Sequence, residues 1–154
     1  PGSTFFVVGF GNPHAVLRVT NLPAYPVADV AAALAGLTVD PAGGLLFPEG
    51  VNVGFMEVQG ETVHLRVVER GVGETDSCGS GACAAAVCAL EHGHLLASPL
   101  TEDRTVCVRM RRGVLRVVCP ASSGEVDLVG PASLVFTGVW VEEEAAGECA
   151  EAHT

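Results

Sequence analysis

The stretch ERGVGETDSCGSGACAAAVCAL, Glu69 through Leu90, decides the fold of this chain. Ala82 through Leu90 contains no charged or strongly polar residue, is mostly alanine, and shows no period of two. Alanine is the strongest helix former, so the pattern predicts a helix from about Gly79 to His92, ended by Gly93. A helix that is apolar all round is buried all round. The rest of the chain must then wrap it, and small side chains let strands pack closely about it. Cys78 stands where that helix begins, with Gly79 and Gly81 directly behind it.

Outward from this core, TFFVVGFG and AVLRV read as strands separated by an Asn12-Pro13 turn that carries His14. In YPVADVAAALAGL, Val27, Val30, Ala31 and Leu34 recur at helical spacing, and Gly36 can end the helix. PEGVNVGFMEV alternates, with Val51, Val53 and Phe55 on one side and Asn52 and Gly54 on the other. ETVHLRVVER places Val63, Leu65 and Val67 on an apolar side, and the same counting puts Glu69 there. RTVCVRMRRGVLRVVC reads as a hairpin turning near Arg112-Gly113, and EVDLVG and SLVFTGVWV as two further strands. The predicted class is α/β (α+β): a mostly antiparallel sheet wrapped around one buried central helix, spanning residues 1–141. An acidic, alanine-rich, loose tail is expected over 142–154.

Composition narrows the function. The 154 residues suffice for one well-cored domain. Eighteen acidic residues against eight basic ones give a net charge of −10, which disfavours nucleic acid and anionic membrane surfaces as partners. All eight basic residues are arginines. Without lysine the chain forms no Schiff base with a carbonyl or pyridoxal cofactor, and it offers no phosphate-loop lysine. No apolar run approaches the length of a membrane span, and no signal-peptide pattern is visible. Three of the six cysteines, Cys78, Cys83 and Cys88, share one short segment, which suits free thiols in a reducing cytosol. The expected location is cytoplasmic.

A helix N-terminus carries unpaired N–H groups and about half a positive charge, and both favour an anion. A thiol placed there is drawn toward thiolate, below the free-cysteine pKa of about 8.5. The same N–H groups could hold a substrate carboxylate, with Gly79 and Gly81 allowing close approach. Cys83 and Cys88 fit a plainer reading as small core residues. So would Cys78, except that this explains neither its flanking glycines nor the polar approach GETDS. His14 is either a proton partner for a nearby thiol or a surface turn residue. Asn52 is either a polar anchor or the solvent side of a strand. Glu69-Arg70 is either a solvated ion pair or, since Glu69 falls on the apolar side, part of a site. His92 and His94 near Cys88 match no standard zinc spacing, and surface histidines past a helix end explain them.

Taken together, GNPHAV (Gly11–Val16), FPEGVNVGF (Phe47–Phe55), ERGVGETDSCGSGACAAA (Glu69–Ala86) and GPASLVFTG (Gly130–Gly138) resemble the C-terminal half of the diaminopimelate epimerase family. The long cysteine motif is the specific one. The resemblance implies cofactor-independent amino-acid racemases and epimerases built from two pseudo-symmetric α/β halves, each giving one cysteine at the start of its central helix. It implies that Cys78 is one of two acid/base residues, assisted by His14 and Glu69. Substrate contacts would come from Asn12, Asn52, Glu69, Arg70, Gly79 and Ser80. The implied reaction interconverts LL- and meso-diaminopimelate, on the route to lysine, in a homodimeric enzyme without cofactor or metal.

The chemistry needs two groups on opposite faces of the carbon, one to remove a proton and one to return it. Cys83 and Cys88 continue along the same helix into the core, and Cys107, Cys119 and Cys149 lack a glycine-flanked helix entry. A partner is therefore expected, the complementary N-terminal half, without which the chain should neither epimerise nor bind substrate tightly. Three alternatives stay open: another racemase or isomerase of the same architecture, of the proline racemase or phenazine-biosynthesis type; a Cys–His hydrolase; and a non-catalytic binding module.

Overall fold

Phe5–Gly9 forms β1 and Pro13–Arg18 forms β2, an antiparallel pair joined through Gly11 at φ +77°. This is a computed structural model; it describes residues 4–37, 44–92, 95, 103–121 and 123–141. Proline opens β2, a strand position that tolerates its missing N–H. A 3-10 turn at Leu22–Ala24 leads into α1, Val27–Ala35, which Gly36 caps as expected. β3 is Asn52–Gln59 and β4 Thr62–Glu69; β5, Gly73–Thr75, folds back antiparallel onto the end of β4. α2 runs Gly79–Glu91 with His92 as its C-cap. β6 (Arg104–Met110), β7 (Gly113–Cys119) and the three-residue β8 (Asp127–Val129) complete one eight-stranded sheet.

The sheet order is β1-β2-β3-β4-β6-β7-β8, and every pairing is antiparallel except β2–β3 and β4–β6. Each parallel step is bridged by a helix, because a parallel neighbour requires a crossover. The two helices lie on opposite faces. Val27, Ala31 and Leu34 of α1 pack with Ala15, Leu17, Val53 and Phe55. On the other face Val16, Met56, Val63, Leu65, Val67, Val106, Val108 and Val117 close over α2. That split is the period of two read directly.

α2 touches β1, β2, β3, β4, β6 and β7, so the sheet must curl around it. Ala82, Ala84, Ala85, Ala86 and Ala89 are wholly buried, and their small size is what permits six strands to approach one helix. The mixed α/β class and the wrapped central helix are as the sequence predicts.

Three expectations change, and one of the two open readings of Asn52 falls away. β5 was not anticipated. His14 lies inside β2 and is fully buried, not in a turn. Asn52 is buried rather than on a solvent face, because β3 is covered on both sides at its start. The closing stretch SLVFTGVWV forms no strand. Leu134, Val135, Phe136, Val139, Trp140 and Val141 are 78–91% exposed, and the stretch pairs with neither edge strand of the sheet, β1 or β8. The acidic tail at 142–154, including Cys149, and the helix-end residues Gly93 and His94 lie outside the described residues.

Candidate active site

Cys78 is the N-cap of α2, held extended at φ −142°, ψ 112°. Its sulfur accepts a hydrogen bond from the Gly81 N–H at 3.4 Å, so the thiol side chain does what a serine or aspartate does at most caps. The glycines behind it are explained by space. A Cβ at Gly79 would lie 2.8 Å from Leu128 Cδ2, and one at Gly81 would lie 3.1 Å from Val67 Cγ2 and 3.2 Å from the Cys78 sulfur. The space at Gly81 is bounded by the wholly buried Val67 and by Cys78 itself, so a side chain there would disturb the helix start, whereas the half-exposed Leu128 beside Gly79 can swing away.

Ser80 Oγ lies 3.6 Å from Cys78 Sγ and 3.1 Å from His14 Nε2. Asn12 Oδ1 lies 3.2 Å from the same imidazole nitrogen. Burial holds the His14 pKa below its ordinary 6.5, offset in part by the Glu69 carboxylate, so the ring is neutral at pH 7. His14 pairs in parallel register with Asn52 of β3. The Asn52 amide donates to the Pro13 carbonyl at 3.1 Å, and its carbonyl oxygen accepts the Arg70 N–H at 3.0 Å. Asn52 thus ties the end of the β4 strand to the start of β2.

The segment Glu69 to Thr75 is a tight hairpin whose turn needs Gly71 at φ +76° and Gly73 at φ +96°. It returns Thr75 to β4, where its hydroxyl donates to Glu69 Oε1. Arg66 secures the hairpin from outside, binding both carboxylate oxygens of Glu74 at 2.7 and 2.9 Å and the Leu22 carbonyl at 2.9 Å. Arg70 reaches the Glu49 carbonyl at 3.0 Å, passing so close to Gly50 that a Cβ there would meet Arg70 Cδ at 2.9 Å. Thr75 and Gly50 were not singled out from the sequence. The paired glycines of RGVG were the available signal for the hairpin that places Thr75.

Thr75→Val keeps the shape of the side chain and removes the donor to Glu69. If that carboxylate acts in catalysis, the complete enzyme should lose about tenfold in kcat, while Thr75→Ser keeps most of it. Steady-state kinetics on both variants checks this; an unchanged kcat in Thr75→Val would show that Glu69 needs no such orientation.

Other candidates are set apart. Cys83 and Cys88 are buried within α2; burial raises the Cys83 thiol, with Cys78 adding to it, and pushes Cys88 up to about 11. Cys107 and Cys119 sit half-buried on β6 and β7, and all five described cysteines are free. His92 stacks on Phe6 with ring centroids 3.6 Å apart. Among the described residues no cluster of three or more His, Cys, Asp or Glu gathers as a metal site. Nor is any described helix long and apolar enough to cross a membrane.

The sequence model of diaminopimelate epimerase matches residues 6–135. The chain belongs to the diaminopimelate epimerase family. Among curated members, a diaminopimelate epimerase of Xylella fastidiosa (strain 9a5c) is 46% identical over 134 residues, 86% of this chain and 42% of that one. That of Xanthomonas euvesicatoria pv. vesicatoria (strain 85-10) is 44% identical over 137 residues, 88% of this chain and 43% of that one. The chain therefore spans well under half the length of these relatives. In solved structures, a probable proline racemase from Agrobacterium radiobacter K84 superposes with a TM-score of 0.50 at 19% identity. It covers 77% of this chain and 38% of its own, which shows a shared fold.

Proposed function

We propose that this chain is the part of a diaminopimelate epimerase that supplies one of two acid/base cysteines, and that Cys78 is that residue. The observation that carries the reading is the Cys78 sulfur at the start of a buried helix, hydrogen-bonded to the Gly81 N–H and linked through Ser80 to His14. Family membership and the match over residues 6–135 support the reaction class.

Inverting a carbon that bears one hydrogen requires a base on one face and an acid on the other. Cys78 serves one face, and a cysteine of the complementary half, the chain's expected partner, serves the opposite one. His14 and Glu69 assist proton movement. Asn12, Asn52, Glu69, Arg70, Gly79 and Ser80 form the substrate contacts. No electron-sink cofactor takes part in this reading, so the carbanion is stabilised electrostatically, and the N–H groups at the start of α2 aimed at the substrate carboxylate provide that. The substrate pair is LL- and meso-diaminopimelate. Residues 1–141 form the epimerase-type unit, followed by the tail at 142–154, in a cytoplasmic homodimer of the complete enzyme.

The test joins this chain with its complementary half and supplies diaminopimelate in deuterium oxide. Deuterium entering the α-position together with inversion supports the proposal. A covalent acyl-enzyme with no exchange would replace it with a Cys–His hydrolase, and no chemistry at all with a binding module.

A further inference from the structure

The imidazole of His14 is fully buried and makes its two polar contacts, to Asn12 Oδ1 and Ser80 Oγ, through Nε2 alone. Its Nδ1 is buried with no hydrogen-bond partner among the described residues. Asn12 Oδ1 can only accept, so the proton sits on Nε2. The other tautomer would set a lone pair against that oxygen and bury an unpaired N–H, which costs more than an unpaired acceptor of the neutral ring. Protonated Nε2 has no lone pair left to accept from Ser80, so its one N–H is shared between Asn12 Oδ1 and Ser80 Oγ, and the Ser80 proton is free to turn to the sulfur 3.6 Å away.

We propose that the Ser80 hydroxyl, oriented by His14, is the second hydrogen-bond donor to the Cys78 sulfur beside the Gly81 N–H, making Ser80 and His14 positioning residues for the thiolate. This rests on the reading of Cys78 as an acid/base residue and adds to it. Ser80 acts on the sulfur before substrate arrives, and His14 reaches the sulfur only through Ser80. The arrangement favours the anion because both donors point at it, and charge-assisted bonds of this kind are the stronger ones. Of the ionisable groups on the elements that meet here, Glu69 of β4 acts on His14 of β2, and Cys78 acts on Cys83 of α2. On the approach to the helix lies Asp76, itself held by Arg111 at 3.5 Å and Arg112 at 2.8 Å.

The experiment is the pH profile of iodoacetamide alkylation at Cys78 in the full chain without substrate, with the modified residue located by mass spectrometry. Cys88, buried and raised to about 11, is the internal reference. Ser80→Ala should move the Cys78 midpoint up by about one pH unit, and Ser80→Thr should restore it. A midpoint that does not move, or one that Thr fails to restore, would overturn the proposal. If Ser80→Ala fails to fold, nitrogen-15 NMR of the unmodified chain decides instead: an Nε2–H tautomer of His14 at neutral pH supports the bridge, and an Nδ1–H tautomer removes it. Neither measurement needs turnover, so a chain that proved inactive as an epimerase would leave this inference standing, and the reverse also holds.

Discussion

Cys78→Ala will lower kcat/KM for epimerisation by about a thousandfold or more when the chain works with its complementary half. A positioned acid or base contributes roughly 10² to 10⁴ in rate, and each direction of an inversion uses both cysteines. Removing one therefore stops both directions, while the remaining cysteine can still exchange a proton on its own face. The expected signature is solvent deuterium entering one stereoisomer without inversion. Cys88→Ala is the control: about 15 Å along the same helix and wholly in the core, its loss costs packing but touches no substrate. Equal loss of activity in both variants would mean that the helix fold, not the Cys78 sulfur, is what the reaction needs. Inversion undiminished in Cys78→Ala would end the two-cysteine mechanism for this chain.

Phe55→Ala is expected to cost about 4 kcal/mol of stability, a large share of the roughly 5–15 kcal/mol that holds a domain together. Phe55 has no exposed surface, pairs across β2–β3 with Leu17, and meets the Tyr25 ring at 5.5 Å between centroids. It joins α1 to the outer face of the sheet. Deleting the ring leaves a cavity between two layers that are held in place by the β3 backbone and cannot collapse freely. Denaturant unfolding should show a lowered midpoint with an unchanged slope. Because successive strand residues face opposite ways, Asn52 and His14 lie on the far side, and the alkylation profile of Cys78 in folded protein should stay as it was. A cost under about 1 kcal/mol would show that the α1 face is not part of the core.

Much of this fold is legible in the order of residues. The run from Ala82 to Leu90 declares α2 because neither a strand nor a loop would use nine apolar residues in succession, five of them alanine. The alternation in β3 and β4 names the residues that face each helix. Cys78 is legible as a cap because a polarisable side chain followed by two glycines stands directly before that helix. The hairpin of β5 is not legible although its glycines are visible, because a three-residue strand has too few positions to show a period. The burial of His14 is hidden for a related reason: Asn-Pro signals a turn, but the proline here opens a strand and carries the next residue inside. The sequence leaves Asn52 open between a polar anchor and a solvent-facing residue, because alternation tells the two faces apart without telling whether the second is also covered.

By itself the sequence determined the helix and its buried character, the two-faced strands, the position of the sulfur and the family. These follow from local propensity and from periodicity, both of which act over a few neighbouring residues. Only the tertiary structure decided that Ser80 meets His14 across 66 positions of chain, that Asn52 stands beside His14, and that Thr75 turns back onto Glu69. It also decided that Leu134 to Val141 pair with nothing within the described chain. Such contacts depend on strand register and on which edge is left open, and those are set by the packing of the whole sheet around α2.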